Sequence, residues 1–443
     1  MSGAGESEAR PSAVRSILRN AGWLLGGKGF GAVSSLLYLA ILSRSLGVKD
    51  FGHFALIFGL AQTVVALASF QTWQTIVRFG APHLSAGRDE AFGRLSVFGG
   101  LIDATGAAVG CVVTVVGFHL FGAMFDVNPA YDDAAILFVC AMLWARVSAP
   151  YGIIRALDRF ELTVIVGAIT PAARLLAAIA IWLAGASVYR FLFAWAAIEF
   201  ITATALWVAA YRLRPDLLKL AHLRHWRKTL EENPGIVKFL GVTYANTSVL
   251  AVIHQGPLLA VGYLFGTSAA GVYRIADQLA KGLGKLATIL SDAVYPEVNK
   301  QLHATPAVQF RRLVRQVSGS VLVISVIVVA LAITLGDDLL VLIAGDEFSA
   351  GGVVLVPLVL AASFELASVS YESVLHSVGK PHYQLFTRIA VLLAMAGLVF
   401  GLPHTNSLGL GWSVAAAHAL EYVVMSLIII LVLRGLVRRG TQA

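Results

Sequence analysis

Four ionisable side chains, Arg274, Asp277, Lys281 and Lys285, follow one another at spacings of three, four and four residues. In a helix those intervals bring all four to one face. Ile275, Ala276, Leu279 and Leu283 between them are apolar. A charged stripe on such a helix does not face hydrocarbon, so it is predicted to line an interior cavity. Two chemistries are open to it. One is a cationic lining for a phosphate-bearing headgroup, for which Arg is suited because its planar fork binds two oxygens at once. The other is internal pairing, Arg274 with Asp277 and Lys281 with a carboxylate elsewhere. Lys285 also has the option of snorkelling to the nearer membrane surface.

Three further bases, Lys28, Arg146 and Arg174, fall inside apolar runs, as do the acids Asp103, Glu199, Glu365, Glu372 and Glu421. An ionisable group at bilayer depth costs roughly 2.5–3.5 kcal/mol on insertion scales, so such groups gather around interior cavities or pair with one another. Lys28, Arg146, Arg174, Arg274 and Lys281 are the predicted cavity bases. Lys28 lies among Gly22, Gly26, Gly27, Gly29 and Gly31, which fit close helix packing or a bendable gate. Arg174 has a counterpart in Arg388, which also suits helix–helix pairing. Asp103, Glu199, Asp277, Glu365 and Glu372 either balance these bases or bind a coupling proton or sodium ion. Gln71, Trp73 and Gln74 can meet a sugar by stacking and hydrogen bonding, or Trp73 is an interfacial anchor. No zinc-protease motif, phosphate loop or nucleotide fingerprint occurs, so no cofactor and no enzyme is expected.

The elements that must carry these residues follow from composition. Of 443 residues, 58% are hydrophobic and 13% are charged, the latter about half the share of a soluble domain. The mean hydropathy of +0.79 makes lipid the solvent. A crossing takes about 20 apolar residues as a helix, and the apolar runs are too long and too free of alternation for barrel strands. Twelve spans are predicted, near 18–43, 53–77, 95–121, 134–156, 161–184, 190–211, 236–260, 269–295, 313–335, 353–376, 384–403 and 409–433. The formal charge of +8 belongs to loops on one side rather than to a nucleic-acid partner. Cys111 and Cys140 sit in apolar runs and read as small hydrophobes, not as a bridge or metal site.

Lys and Arg in the loops set the orientation. With the N-terminus in the cytoplasm, the inner loops hold Arg78, Arg88, Arg94, Arg155, Arg159, Lys300, Arg311, Arg312, Arg315 and Lys380. The outer loops hold only Arg44, Lys49 and Arg190, and carry acids such as Asp132, Asp133, Asp337, Asp338, Asp346 and Glu347. Both termini are thus expected in the cytoplasm. Residues 1–14 read as a disordered tail without the pattern of a cleaved signal. Residues 212–237 read as a basic, amphipathic surface helix, with Leu217, Leu218, Leu220, Leu223 and Trp226 between bases. It joins a six-helix lobe at 15–211 to another at 238–443. An internal repeat supports the division. Gly47, Gly52 and Phe54 recur as Gly266, Gly271 and Tyr273; Arg155-Ala-Leu-Asp-Arg-Phe echoes His376-Ser-Val-Gly-Lys-Pro; and Arg174-Leu-Leu-Ala-Ala echoes Arg388-Ile-Ala-Val-Leu. Each pair is separated by close to half the chain. Duplicated halves around a central site are a recurring transporter design.

The loop Ser43-Arg-Ser-Leu-Gly-Val-Lys-Asp-Phe-Gly-His-Phe-Ala resembles the first loop of bacterial polysaccharide flippases, which handle O-antigen and exopolysaccharide within the multidrug/oligosaccharidyl-lipid/polysaccharide exporter superfamily. Gly266 to Tyr273, Ala344-Gly-Asp-Glu-Phe and Gly379-Lys-Pro resemble further motifs of that family. His254-Gln255 departs from it, since an acid–base pair is expected there. The resemblance implies an all-α, inner-membrane protein of two pseudo-symmetric lobes around a central cavity. It also implies a flippase that carries undecaprenyl-pyrophosphate-linked oligosaccharide across the inner membrane by alternating access. Its expected partners are that lipid-linked substrate, membrane lipids, and a polysaccharide polymerase with its export machinery. A drug or cation antiporter of the same superfamily is the alternative, and a membrane glycosyltransferase or polymerase the more distant one. The sugar, the coupling ion and the oligomeric state are not written in the sequence.

Overall fold

A helix of 56 residues would be about 84 Å long at 1.5 Å per residue, far more than the roughly 30 Å of a bilayer core. The computed structural model resolves this in the same way twice. α1 (Ala13–Ala68) turns back at Gly47, where φ is 72° and ψ 173°. α9 (Ile236–Leu302) turns at Gly266, where φ is 82° and ψ 179°. Both lie in the left-handed region that a Cβ disfavours. The near-identical angles at matching repeat positions make the sequence echo a structural one.

The structure describes the backbone of residues 13–121, 127–146, 148–302, 307–377 and 382–440, and their side chains apart from 13–29, 121, 220, 283–322, 324, 369–370, 372–374, 376–377, 382 and 433–440. Lys28, Lys285 and Glu372 therefore lie outside the described side chains, and the Gly379-Lys380-Pro381 motif outside the described residues. The elements after α1 are α2 (Thr72–Ser85), α3 (Asp89–Phe121), α4 (Asp132–Ala145), α5 (Ala149–Ala156), α6 (Phe160–Ala184), α7 (Val188–Leu213), a short α8 (Lys228–Glu232), α9, α10 (Ala307–Ala344), α11 (Gly352–Ser377), α12 (His382–Gly401) and α13 (Ser407–Gly440). Among the described residues, ten apolar stretches are long enough to cross a membrane. Two of them contain the turns at Gly47 and Gly266, and dividing them there gives the twelve crossings expected.

The two turns pack against each other. A Cβ on Gly52 would lie 2.0 Å from the Thr267 carbonyl oxygen, and one on Gly271 would lie 2.8 Å from the Val48 carbonyl oxygen. Backbone against backbone at this distance admits glycine alone. Nearby, the lobes exchange polar contacts. The Arg44 guanidinium donates to the carbonyls of Val341, Leu342 and Ile343 at 3.2, 2.7 and 3.1 Å. The Val48 amide donates to Glu347 at 3.2 Å. A cation thus caps the C-terminal end of α10, and an anion caps the N-terminal start of the second arm of α1, each favourable to the local helix dipole.

The apolar core follows the same logic. At this end, one buried cluster runs through both lobes, from Phe51, Phe54 and Phe58 to Leu258, Tyr273, Leu355 and Val414. At the other end, the described side chains divide. Ile76, Phe92, Leu95, Ile153, Leu206 and Ile236 form one cluster on the first lobe and the start of α9. Tyr371, Leu375, Met425 and Ile429 form another within the second lobe. Among the described side chains the common core lies at one end, and at the other the start of α9 packs across onto the first lobe.

The segment 212–237 corrects the expectation of a single amphipathic helix. It consists of the 3-10 turns Pro215–Leu218 and Leu220–His225 followed by α8. Pro215 keeps α7 from running on into the segment. Leu217 is fully buried against the first lobe rather than in lipid. Ion pairs moor the segment to α3: Arg94 to Glu232 at 2.6 Å, and Arg214 to Asp89 at 2.9 Å. His83 adds a buried hydrogen bond to Asn233 at 2.9 Å. The Arg214 hydrogen bond to Asp216, at 2.7 Å, holds that carboxyl below the usual Asp range.

Candidate functional site

The stripe on α9 forms one face, as its spacing requires. Asp277 sits between two cations, 3.7 Å from Arg274 and 2.9 Å from Lys281. Arg274 is buried and lies over the Phe58 ring of α1, 5.4 Å from its centroid, at the joint between the lobes. Both readings of the stripe thus meet here: the bases are paired internally, and Lys281 with Asp277 also bounds a hollow. A cavity of about 30 Å³ is lined by His254, Asp277, Lys281, Glu365 and His418, with Ile253, Pro257, Tyr273, Leu358 and Val414 as its apolar wall. His254 of α9 meets Glu365 of α11 at 2.7 Å. His418 and Glu421, one turn apart on α13, meet at 3.0 Å and are both buried. The departure at His254 is therefore a partnered position.

Arg174 is elsewhere. It forms an ion pair with Glu199 between α6 and α7, and its guanidinium stacks on the Trp195 ring at 3.8 Å. Tyr38 of α1 packs edge-on against the same indole. The arrangement is a helix-to-helix clamp inside the first lobe. Arg388 has a comparable place in the second lobe, 2.7 Å from Asn246.

Asp103 and Arg146 meet a feature that hydropathy hides. The second and fourth crossings are each broken part-way, at 69–71 between α1 and α2 and at 146–148 between α4 and α5. Gln71 there is left-handed, with φ 49° and ψ 44°. The Asp103 carboxylate on α3 pins both breaks. It accepts from the Thr72 hydroxyl at 2.8 Å and from the Ser148 and Ala149 amides at 3.0 and 2.7 Å. The Ser148 hydroxyl in turn accepts from the Trp73 amide at 2.9 Å. These bonds satisfy backbone groups that lipid would leave unpaired. Asp103 is thus a structural acid, held by three hydrogen bonds. Arg146 ends α4 at the break with its side chain exposed. Trp73 is not at a membrane boundary but at the break, its indole N–H donating to Gln71 at 2.9 Å, with Arg155 5.1 Å over its ring.

The predicted cavity bases therefore separate. Arg274 and Lys281 share one cluster, Arg174 is clamped in the first lobe, and Arg146 lies at a break within electrostatic reach of Asp103. Reading by residue missed His418, whose spacing to Glu421 was visible as a helical i, i+3 pair. It also missed the breaks, for which Pro150 at the start of α5 was the one local signal.

The sequence profile of the polysaccharide biosynthesis protein family matches residues 17–300. The chain belongs to that family. It is 26% identical to the inner membrane protein YghQ of Escherichia coli K12 over 292 residues, 65% of this chain and 81% of that one. The capsular polysaccharide biosynthesis protein CapF of Staphylococcus aureus is 26% identical over 196 residues, 42% and 49% of the two chains. Among solved structures, the lipid II flippase MurJ in an inward closed conformation gives a TM-score of 0.70 at 12% identity, covering 94% of this chain and 90% of that one. An inward-facing multidrug resistance MATE transporter gives 0.65 at 16% identity, covering 91% and 95%. At such identities the likeness is one of fold alone.

Proposed function

We propose that this member of the family flips undecaprenyl-pyrophosphate-linked oligosaccharide across the inner membrane by alternating access, for surface or exopolysaccharide synthesis. The observation that carries the reading is the division of the described core: one cluster shared by both lobes at the Gly47–Gly266 end, and at the other a first-lobe cluster joined by the start of α9 and a second cluster within the second lobe. Two lobes whose described packing is concentrated at one end are suited to exchange which end is joined. The loop bases put the other end and both termini in the cytoplasm. That end then receives substrate from the leaflet where such lipids are made.

In this reading Arg274 and Lys281, which share one cluster around Asp277, meet the pyrophosphate. Arg174 positions α6 against α7 through Glu199 and Trp195. Glycan relatives in the family support a sugar-bearing cargo over a drug or cation, and the chain works with a separate polymerase and export machinery. Reconstitution tests the proposal directly. Proteoliposomes holding the purified protein should render a fluorescent lipid-linked oligosaccharide accessible to an impermeant glycosidase faster than empty vesicles do. Deletion from the source cell should abolish surface polysaccharide. Equal accessibility with and without protein, together with normal polysaccharide in a deletion strain lacking related flippases, would end the reading.

A further inference from the structure

The stretch 212–238 turns its acids inward and its bases outward. Its carboxylates are Asp216, Glu231 and Glu232. Asp216 is engaged by Arg214 at 2.7 Å and Glu232 by Arg94 at 2.6 Å. Glu231 remains on the exposed side. Arg212, Arg224, Arg227, Lys228 and Lys238 are exposed, and among the described contacts none of them meets a carboxylate. Lys219, also exposed, faces the Asp216 charge. Arg227 lies over the Trp226 ring, 5.5 Å from its centroid. Fixing the orientation of the crossings during insertion requires bases on this side. It does not require that they stay without partners once the chain has folded, while the neighbouring acids go to Arg214 and Arg94.

Position and apolar neighbours name the occupant. Arg212 is in the last turn of α7 and Lys238 in the first turn of α9. Both therefore stand at the ends of membrane crossings, at headgroup depth, where a cytoplasmic protein would have to displace lipid to reach them. Between the bases, Leu223, Leu230 and Val237 are exposed. Cations interleaved with apolar side chains are what enters a bilayer interface. Leu217, buried in the first lobe, and the pairs of Arg94 and Arg214 to Glu232 and Asp89 hold the segment against the bundle. We propose that 212–238 is a docking surface for the anionic headgroups of the cytoplasmic leaflet, with its five unpaired bases on lipid phosphate and its exposed apolar side chains at the acyl boundary. Each base near such a surface multiplies association by about fivefold. Lipid gathered there touches the end of α7 and the start of α9 alike, so it ties together the two crossings that the connector joins. The inference goes beyond the flippase reading and shares with it the orientation set by the loop bases.

The test uses full-length protein in phosphatidylcholine vesicles with a trace of spin-labelled phosphatidylglycerol or spin-labelled phosphatidylcholine. Electron spin resonance reads the motionally restricted fraction of each lipid. The wild type should restrict phosphatidylglycerol several-fold more strongly at low salt. That preference should approach unity at about 1 M salt, where the screening length is about 3 Å. Arg224→Gln/Arg227→Gln/Lys228→Gln removes three exposed bases and leaves the mooring pairs in place, and should lose most of the preference. The charge-preserving Arg224→Lys/Arg227→Lys/Lys228→Arg should keep it, as should Lys49→Gln at the opposite end. Equal restriction of the two lipids by the wild type, or an undiminished preference in the neutral triple variant, would overturn the proposal. Loss of the preference on adding inorganic phosphate at constant ionic strength would make this a free-anion site, and loss on adding polyglutamate but not phosphate would assign it to an acidic protein. Either result would also overturn it. Should the neutral triple variant fail to purify, the salt dependence of the wild type and Arg227→Gln alone, expected to lower the preference by about fivefold or less, decide the matter. No glycan enters the measurement, so its failure would leave the flippase reading standing, and a failed flipping assay would leave the lipid surface standing.

Discussion

At the scale of single residues, the distinction that matters is between charges that hold the protein together and charges that remain for a ligand. Asp103 belongs to the first kind. Its three hydrogen bonds across two helix breaks mean that in Asp103→Asn an amide N–H meets a donor it cannot satisfy. A buried unsatisfied group costs about 1–3 kcal/mol, so thermal unfolding of the purified variant should start several degrees lower, with Arg274→Ala as the comparison. Arg274→Ala should instead keep the protein folded enough to purify and slow flipping of a pyrophosphate-linked cargo by tenfold or more. Asp216 gives a pH-dependent case outside the membrane. Its folded carboxyl sits below the usual range because Arg214 donates to it. The pairing therefore stabilises the connector above the unfolded value of about 3.9, and that support is lost as pH falls through the lower folded value. Backbone hydrogen exchange over 214–233 should rise as the protein is acidified below about pH 4. Asp216→Asn should show the faster exchange already at neutral pH, by a modest factor because the pair is partly exposed.

At the scale of elements, the twelve crossings were legible because each needs its own apolar run, and the turns were legible as a repeated glycine. What the repeat did not reveal is that the connection shrinks to one residue, because that depends on the partner turn packed against it. Gly52→Ala should therefore prevent accumulation of folded protein, since its Cβ would meet a carbonyl oxygen that cannot step aside. Gly117→Ala, with nothing within 4 Å of the added Cβ, should leave membrane levels unchanged. Quantitative blotting of the membrane fraction separates the two outcomes. The breaks at 69–71 and 146–148 were not legible, because Ala66 to Trp73 stays apolar enough for an unbroken helix and the force that opens it comes from Asp103 on a different element. The same asymmetry governs the charged cluster. Arg274, Asp277 and Lys281 declared a common face through local spacing, whereas the His254–Glu365 pair spans 111 positions and arises only when α9 and α11 come together. The amphipathic pattern of 212–237 was real, but its apolar face found the protein before it found lipid.

At the scale of the whole molecule, the joined end is where a change of access must begin. Glycine-to-backbone packing there is short-range and breaks all at once, so what sets the balance between joined and parted lobes is the polar latch around it. Arg44 reaches three carbonyls of the opposite lobe and Glu347 holds the Val48 amide. Neither group is buried, so neither leaves an unsatisfied charge behind when removed. The pair Arg44→Ala with Glu347→Ala should therefore be well folded and biased toward separation of this end. Losing about 1.4 kcal/mol of preference for the joined state would shift the ratio of the two states tenfold. Electron–electron distance measurements between spin labels at Ala130 and Leu402, one on each lobe near this end, should show a longer distance gaining population in the double variant, with each single variant in between. An unchanged distribution would mean that packing around Gly52 and Gly271 alone closes the end. The division of the core seen at the other end would then be a fixed shape rather than one of two states.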